Sequence, residues 1–148
     1  MSSVAESIVA GARGESAVWT QSLREKSDWE PVFSPLAPAH FALGLETIYE
    51  AYLVHYGAPR LFDAPDRNDA VLLGDYLYAH GLVRIAEAGG VPAVEAMSRL
   101  ISRCAALRAE GTNGDADAWL DAARDLGGEP STDDIAHALA LHSARVAL

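Results

Sequence analysis

With 148 residues, half of them hydrophobic, the chain has the length of one domain and enough apolar surface to bury a core, which excludes a disordered polypeptide. A formal net charge of −10 argues against the clustered Lys and Arg that nucleic acid or anionic lipid requires. Cys104, the one cysteine, forms no internal disulfide, and no segment offers the ~20 apolar residues of a membrane span. Met1–Gly14 is broken by Glu6, Gly11 and Arg13, so a cytoplasmic protein with at most peripheral membrane contact is expected.

Ala- and Leu-rich segments at 3.6-residue spacing, without β-branched alternation, predict an all-α chain. In chain order, a short helix is expected over Val4–Ala10, closed by Gly11 and Gly14, and a weakly amphipathic one over Ala17–Lys26. "EPVFSPLAPAH" carries Pro31, Pro35 and Pro38 and cannot be regular helix. It divides residues 1–38, an N-terminal helical arm and Pro-rich linker, from a helical-bundle body over 39–148. Phe41, Leu45, Ile48 and Tyr52 fall at i, i+3/i+4 spacing in a helix that stops at Gly57. "GAPRLFDAPDRN" reads as loop, with Asp66 or Asn68 capping the next helix. That helix, apolar on nearly every face, is expected at the middle of the bundle and ends at Gly89-Gly90. Pro92 then opens a helix running to about Glu110. Further helices are expected over Asp115–Leu126 and, from a cap at Ser131, to Leu148.

Several groupings invite a chemical reading. Asp63, Asp66 and Asp69 are evenly spaced, yet a calcium loop alternates ligands at every second residue and adds a glutamate, so turn and cap roles are preferred. Asp133 and Asp134 fall in the first turn of a helix, where negative charge is favoured, and Asp115, Asp117, Asp121 and Asp125 read as a solvated face. His137 and His142, five apart, lie on different sides of their helix. Cys104 in "ISRCAAL" reads as a small buried hydrophobe, and "GARGES" lacks the lysine of a phosphate loop.

The stretch "AVLLGDYLYAHGLVRIAEAGG", residues 70–90, sets Gly74 and Asp75 inside an apolar run. Glycine costs about 1 kcal/mol against alanine in a helix, a cost offset where another helix must approach closely. Asp75 there needs a buried partner or a path to water. The stretch resembles the A-x-L-x-G-D-x-L-x-x-x-A signature of the trans-isoprenyl (polyprenyl) diphosphate synthases. The likeness extends upstream through "ALGLETIYEAYLVHYGAPRLF", where Glu46 matches a glutamate preceding the family's first aspartate-rich motif. Downstream it continues through "MSRLISRCAALRAEGTNGD", so that about residues 40–115 are covered. It implies a shortened helical bundle of the isoprenoid-synthase type.

The departures from that family are as informative. Where its catalysts carry D-D-x-x-D, this chain has "LVHYGAP", with Val54, His55 and Tyr56; the arginine pair is reduced to Arg60, and "STDDIAH" lacks the second motif's pattern. No residue carries over as catalytic. The chain therefore looks like the small, non-catalytic component I of heterodimeric hexaprenyl and heptaprenyl diphosphate synthases. That likeness implies a catalytic prenyl diphosphate synthase subunit as partner, which binds magnesium and holds the isoprenoid chain of the product, with no metal or cofactor bound by this chain. Leu73, Tyr76, Leu77 and His80 share a helical face expected at the partner interface or tunnel wall, while Gly74 and Asp75 serve helix packing. The alternative is a stand-alone helical protein that holds an isoprenoid or other lipid, or acts in assembly, without a synthase partner.

Overall fold

The structure, a computed structural model, describes residues 2–146. The last two positions of the expected C-terminal helix, 147 and 148, lie outside the described residues. The all-α class holds: α1 (Ser3–Glu15), α2 (Ala17–Gln21), α3 (Ala42–Tyr56), α4 (Arg67–Glu110), α5 (Asp115–Asp125) and α6 (Thr132–Val146) form a helical bundle. The Pro-rich segment makes two short 3-10 turns, at 34–36 and 39–41.

Most helix ends follow local chemistry. The Asp66 carboxylate accepts from the Asp69 amide at 2.9 Å to start α4, and the Ser131 hydroxyl accepts from Asp134 at 3.1 Å to start α6. Two ends differ from expectation. α1 runs through Gly11 and Gly14, because Gly11 lies against His80 and Tyr76 and that packing outweighs the glycine cost. α2 stops at Gln21 rather than Lys26: the Ser22 carbonyl accepts from Asp63, and the Arg24 and Asp28 amides donate to Leu61 and Arg60, so the chain is drawn into loop pairing.

Gly90, at φ 68° and ψ −158°, interrupts α4 with a left-handed residue. A straight 44-residue helix would hold Tyr78 and Arg108 about 45 Å apart. Here Tyr78 lies 5.2 Å from the His55 ring and Arg108 lies 5.1 Å over Tyr56, two consecutive residues of α3. α4 is therefore a helical hairpin folded at Gly90, with Pro92 in the first turn of its second half.

The helix at the centre is α3, not the first half of α4. Every residue from Gly44 to Leu53 is buried, whereas α4 keeps an exposed side through Leu72, Asp75, Ala79 and Val83. The two cross at very short range. A Cβ on Gly81 would stand 2.5 Å from Ile48 Cγ1, one on Gly44 2.8 Å from Ile85, and one on Gly74 would overlap the His55 ring. The main core joins α3, the second half of α4, α5 and α6 around Trp119, Tyr49, Tyr52 and Phe33. A second core sets Ala5, Ile8 and Ala12 of α1 against Leu73, Leu77 and Ala51. The first 38 residues thus contribute to both cores, Val32, Phe33 and Leu36 to the main one. Where they return to the body, Arg145 of α6 donates to both the carbonyl and the carboxylate of Asp28 at 2.8 Å.

Candidate functional site

The residues expected at a partner interface face this chain's own N-terminal helices. Leu73 and Leu77 are fully buried beneath α1. Tyr76 stacks on Trp19 at 5.9 Å and on His80 at 5.6 Å, and His80 lies 3.4 Å from Arg84. Gly74 does serve close packing, against His55. Asp75 meets its requirement by a path to water: its side chain is 64 % exposed, 3.7 Å from His55.

What α4 presents outward is a different stripe. Leu72 is 58 % exposed and Val83 52 %, with Ala79 and Ala86 between and beyond them at helical spacing. Asp75 and Glu87 are the charges that border this stripe. Among the described residues nothing covers these side chains.

Two polar clusters flank α3. In the first, Arg60 is fully enclosed and bonds Glu46 at 2.5 Å and Glu50 at 2.9 Å, one turn apart on α3. Glu46 also accepts from the Val32 and Ser34 amides, and Glu50 from those of Arg60 and Leu61. Trp29 closes over the guanidinium at 4.2 Å. Every charge has partners, which is the condition for tolerating charge in a core. Glu46 and Arg60, named separately in the comparison with the synthase motifs, are brought together, and their work is to fix the 28–34 segment and the 58–62 loop to α3.

The second cluster combines residues the sequence left apart. Tyr52 donates to Asp115, Arg108 Nε donates to the same carboxylate at 2.8 Å, and an Arg108 terminal nitrogen donates to the Tyr52 oxygen at 2.9 Å. Asp115 is 7 % exposed, so it does not belong to the solvated acidic face; Asp117, Asp121 and Asp125 do. One turn back on α3, Tyr49 bonds His142 Nδ1 at 2.8 Å. Burial raises the Tyr49 and Tyr52 hydroxyls well above the usual phenol range, the latter helped by its bond to Asp115. Burial lowers His142 from 6.5 to about 4, so at neutral pH a protonated Tyr49 faces a neutral imidazole.

Arg108, Asp115 and His142 border a cavity of about 520 Å³ at the end of the bundle, completed by the 111–114 loop and Ser143. A sequence signal existed for part of this cluster: Tyr52, on the apolar spacing of α3, carries a hydroxyl, as does Tyr49 three residues before it. Their partners, 56 to 93 positions away, are set by the hairpin in α4 and the return of α6.

Other expectations resolve simply. Cys104 is buried and its thiol is pushed up to about 12 by that burial, the behaviour of a small core residue. Asp66 is a cap, and Asp133 and Asp134 occupy the first turn of α6. Among the described residues no group of three His, Cys, Asp or Glu side chains is arranged to hold a metal, and no helix is long and apolar enough to cross a membrane. Comparison with protein-family models, with curated proteins and with solved structures gave no match.

Proposed function

We propose that this chain is the non-catalytic small subunit of a heteromeric polyprenyl diphosphate synthase, stabilising a catalytic partner and helping to set product chain length. The observation that carries the reading is the uncovered stripe of Leu72, Ala79, Val83 and Ala86 on α4. Exposed aliphatic side chains aligned along one helix face form a surface suited to packing against another protein. The stripe lies on the same helix as Gly74, which packs closely against His55 of α3. The interface assigned to Leu73 and Leu77 therefore moves to the opposite side of that helix. Magnesium and the allylic diphosphate would be bound by the partner, and the growing isoprenoid chain would pass along the shared wall.

Co-expression with a trans-prenyl diphosphate synthase from the same genome, co-purification and product analysis test this directly. The expected result is a stable complex whose product length changes when this chain is omitted. Leu72→Glu with Val83→Glu should abolish co-purification while changing the melting temperature of the isolated chain little, since both residues are more than half exposed. A partner that is fully active alone and never associates overturns the reading. Isoprenoid extracted from the purified chain without any partner would favour the stand-alone lipid-holding alternative.

A further inference from the structure

The cavity at the end of the bundle has no part in the subunit role, and its wall is made of hydrogen-bond donors. Arg108 engages Asp115 through Nε and Tyr52 through one terminal nitrogen, two of the five N–H donors a guanidinium carries. Its side chain is 36 % exposed, which leaves its other terminal nitrogen available to the cavity it lines. His142 is 4 % exposed and lines the same space. Its Nδ1 is bonded to the Tyr49 hydroxyl, and with that hydroxyl as the donor Nε2–H is what the ring offers the cavity. α5 starts behind Gly114 without a side-chain cap, so its first-turn amides add donors on the same side. Asp115 does not oppose an anion here as a free carboxylate would. Tyr52 and Arg108 hold one oxygen and Arg108 offsets the charge, while the other oxygen is buried without a hydrogen-bond partner.

We infer that this cavity binds a small oxyanion, the carboxylate or phosphate group of a small molecule, through Arg108, His142 and the start of α5, with Asp115 and Tyr52 as positioning residues. At 520 Å³ the space exceeds the anionic group and admits a modest organic body, bordered by Leu107 and Val146. Asn113 and Ser143, exposed at the rim, supply neutral polar contacts.

Titration of the purified full chain with inorganic phosphate and, separately, with succinate, at constant ionic strength, tests the inference by calorimetry and by the shift in melting temperature. The expected result is saturable binding of at least one of the two, which also identifies the headgroup. Arg108→Gln should weaken it by about tenfold or more, the size of one lost charged hydrogen bond. Because Arg108 also holds Tyr52 and Asp115, a second variant is needed that leaves the core alone. Asn113→Asp, on the exposed loop, should weaken binding severalfold with an unchanged melt in the absence of ligand. No saturable binding of either anion, or equal affinity in Asn113→Asp, overturns the assignment. Neither outcome depends on a synthase partner.

Discussion

His142 is a base held where its proton is costly. Phe33, Tyr49 and Tyr52 surround its ring at 5.3 to 5.9 Å, and desolvation brings its pKa from 6.5 to about 4. The sign follows from linkage. Above pH 6.5 both folded and unfolded chains carry a neutral imidazole and His142 adds no pH dependence. Between 6.5 and about 4 only the unfolded chain takes the proton, so stability falls as pH falls, by up to about 3 kcal/mol in all. Below about 4 the loss is complete. His142→Gln keeps an acceptor for Tyr49 but cannot titrate. Its urea-unfolding free energy should therefore be flatter than wild type between pH 6.5 and 4; parallel curves for the two proteins would refute the account.

At the scale of elements, the α3–α4 crossing decides the architecture. Gly81→Ala would gain about 1 kcal/mol in helix propensity, yet its Cβ would meet Ile48 Cγ1 at 2.5 Å and the Ile48 backbone nitrogen at 3.2 Å. A backbone neighbour cannot rotate away, so overpacking of about 1–3 kcal/mol wins and the substitution should destabilise. A denaturant midpoint at or above wild type would show that the helices separate freely. What the sequence makes legible here is whatever is locally determined. Gly57 ends α3, Asp66 and Ser131 start α4 and α6, and Gly90 with Pro92 marks the fold of the hairpin. Less legible is anything a distant segment decides. α1 passes Gly11 and Gly14 because α4 lies against it, and α2 is cut short by pairing with the 60–63 loop. The apolar first half of α4 reads as the central helix because periodicity counts apolar residues. The true centre, α3, carries Glu46, Glu50 and two tyrosines whose polar groups are satisfied by segments far along the chain.

For the molecule as a whole, Arg60 is the residue on which separate parts depend. It connects Glu46 and Glu50 of α3 with the Glu30 carbonyl and packs under Trp29. Arg60→Ala would leave two buried carboxylates facing each other, and a loss of about 3–5 kcal/mol is expected in equilibrium unfolding. Such a loss is a large share of a domain's total stability, so a loss below about 1 kcal/mol would mean that water replaces the guanidinium. The same dependence explains why the candidate sites were only partly legible. Glu46 and Arg60 stand out in the sequence, but their contact is a tie between segments rather than chemistry on a substrate. The Arg108, Asp115 and His142 wall requires α4 to fold back and α6 to return. Gly90 marks where α4 folds, but which residues the fold and the return bring together is not written in any window of the sequence.

The clasp between Asp28 and Arg145 has a mechanical consequence. It joins a residue near the start of the chain to one near its end, and Arg145 also offers its carbonyl to the Ala58 amide. A pull applied between Asp28 and Arg145 would therefore load this clasp and the Ala58 hydrogen bond together, at the end of the bundle that holds the cavity, while α1 stays anchored in the second core.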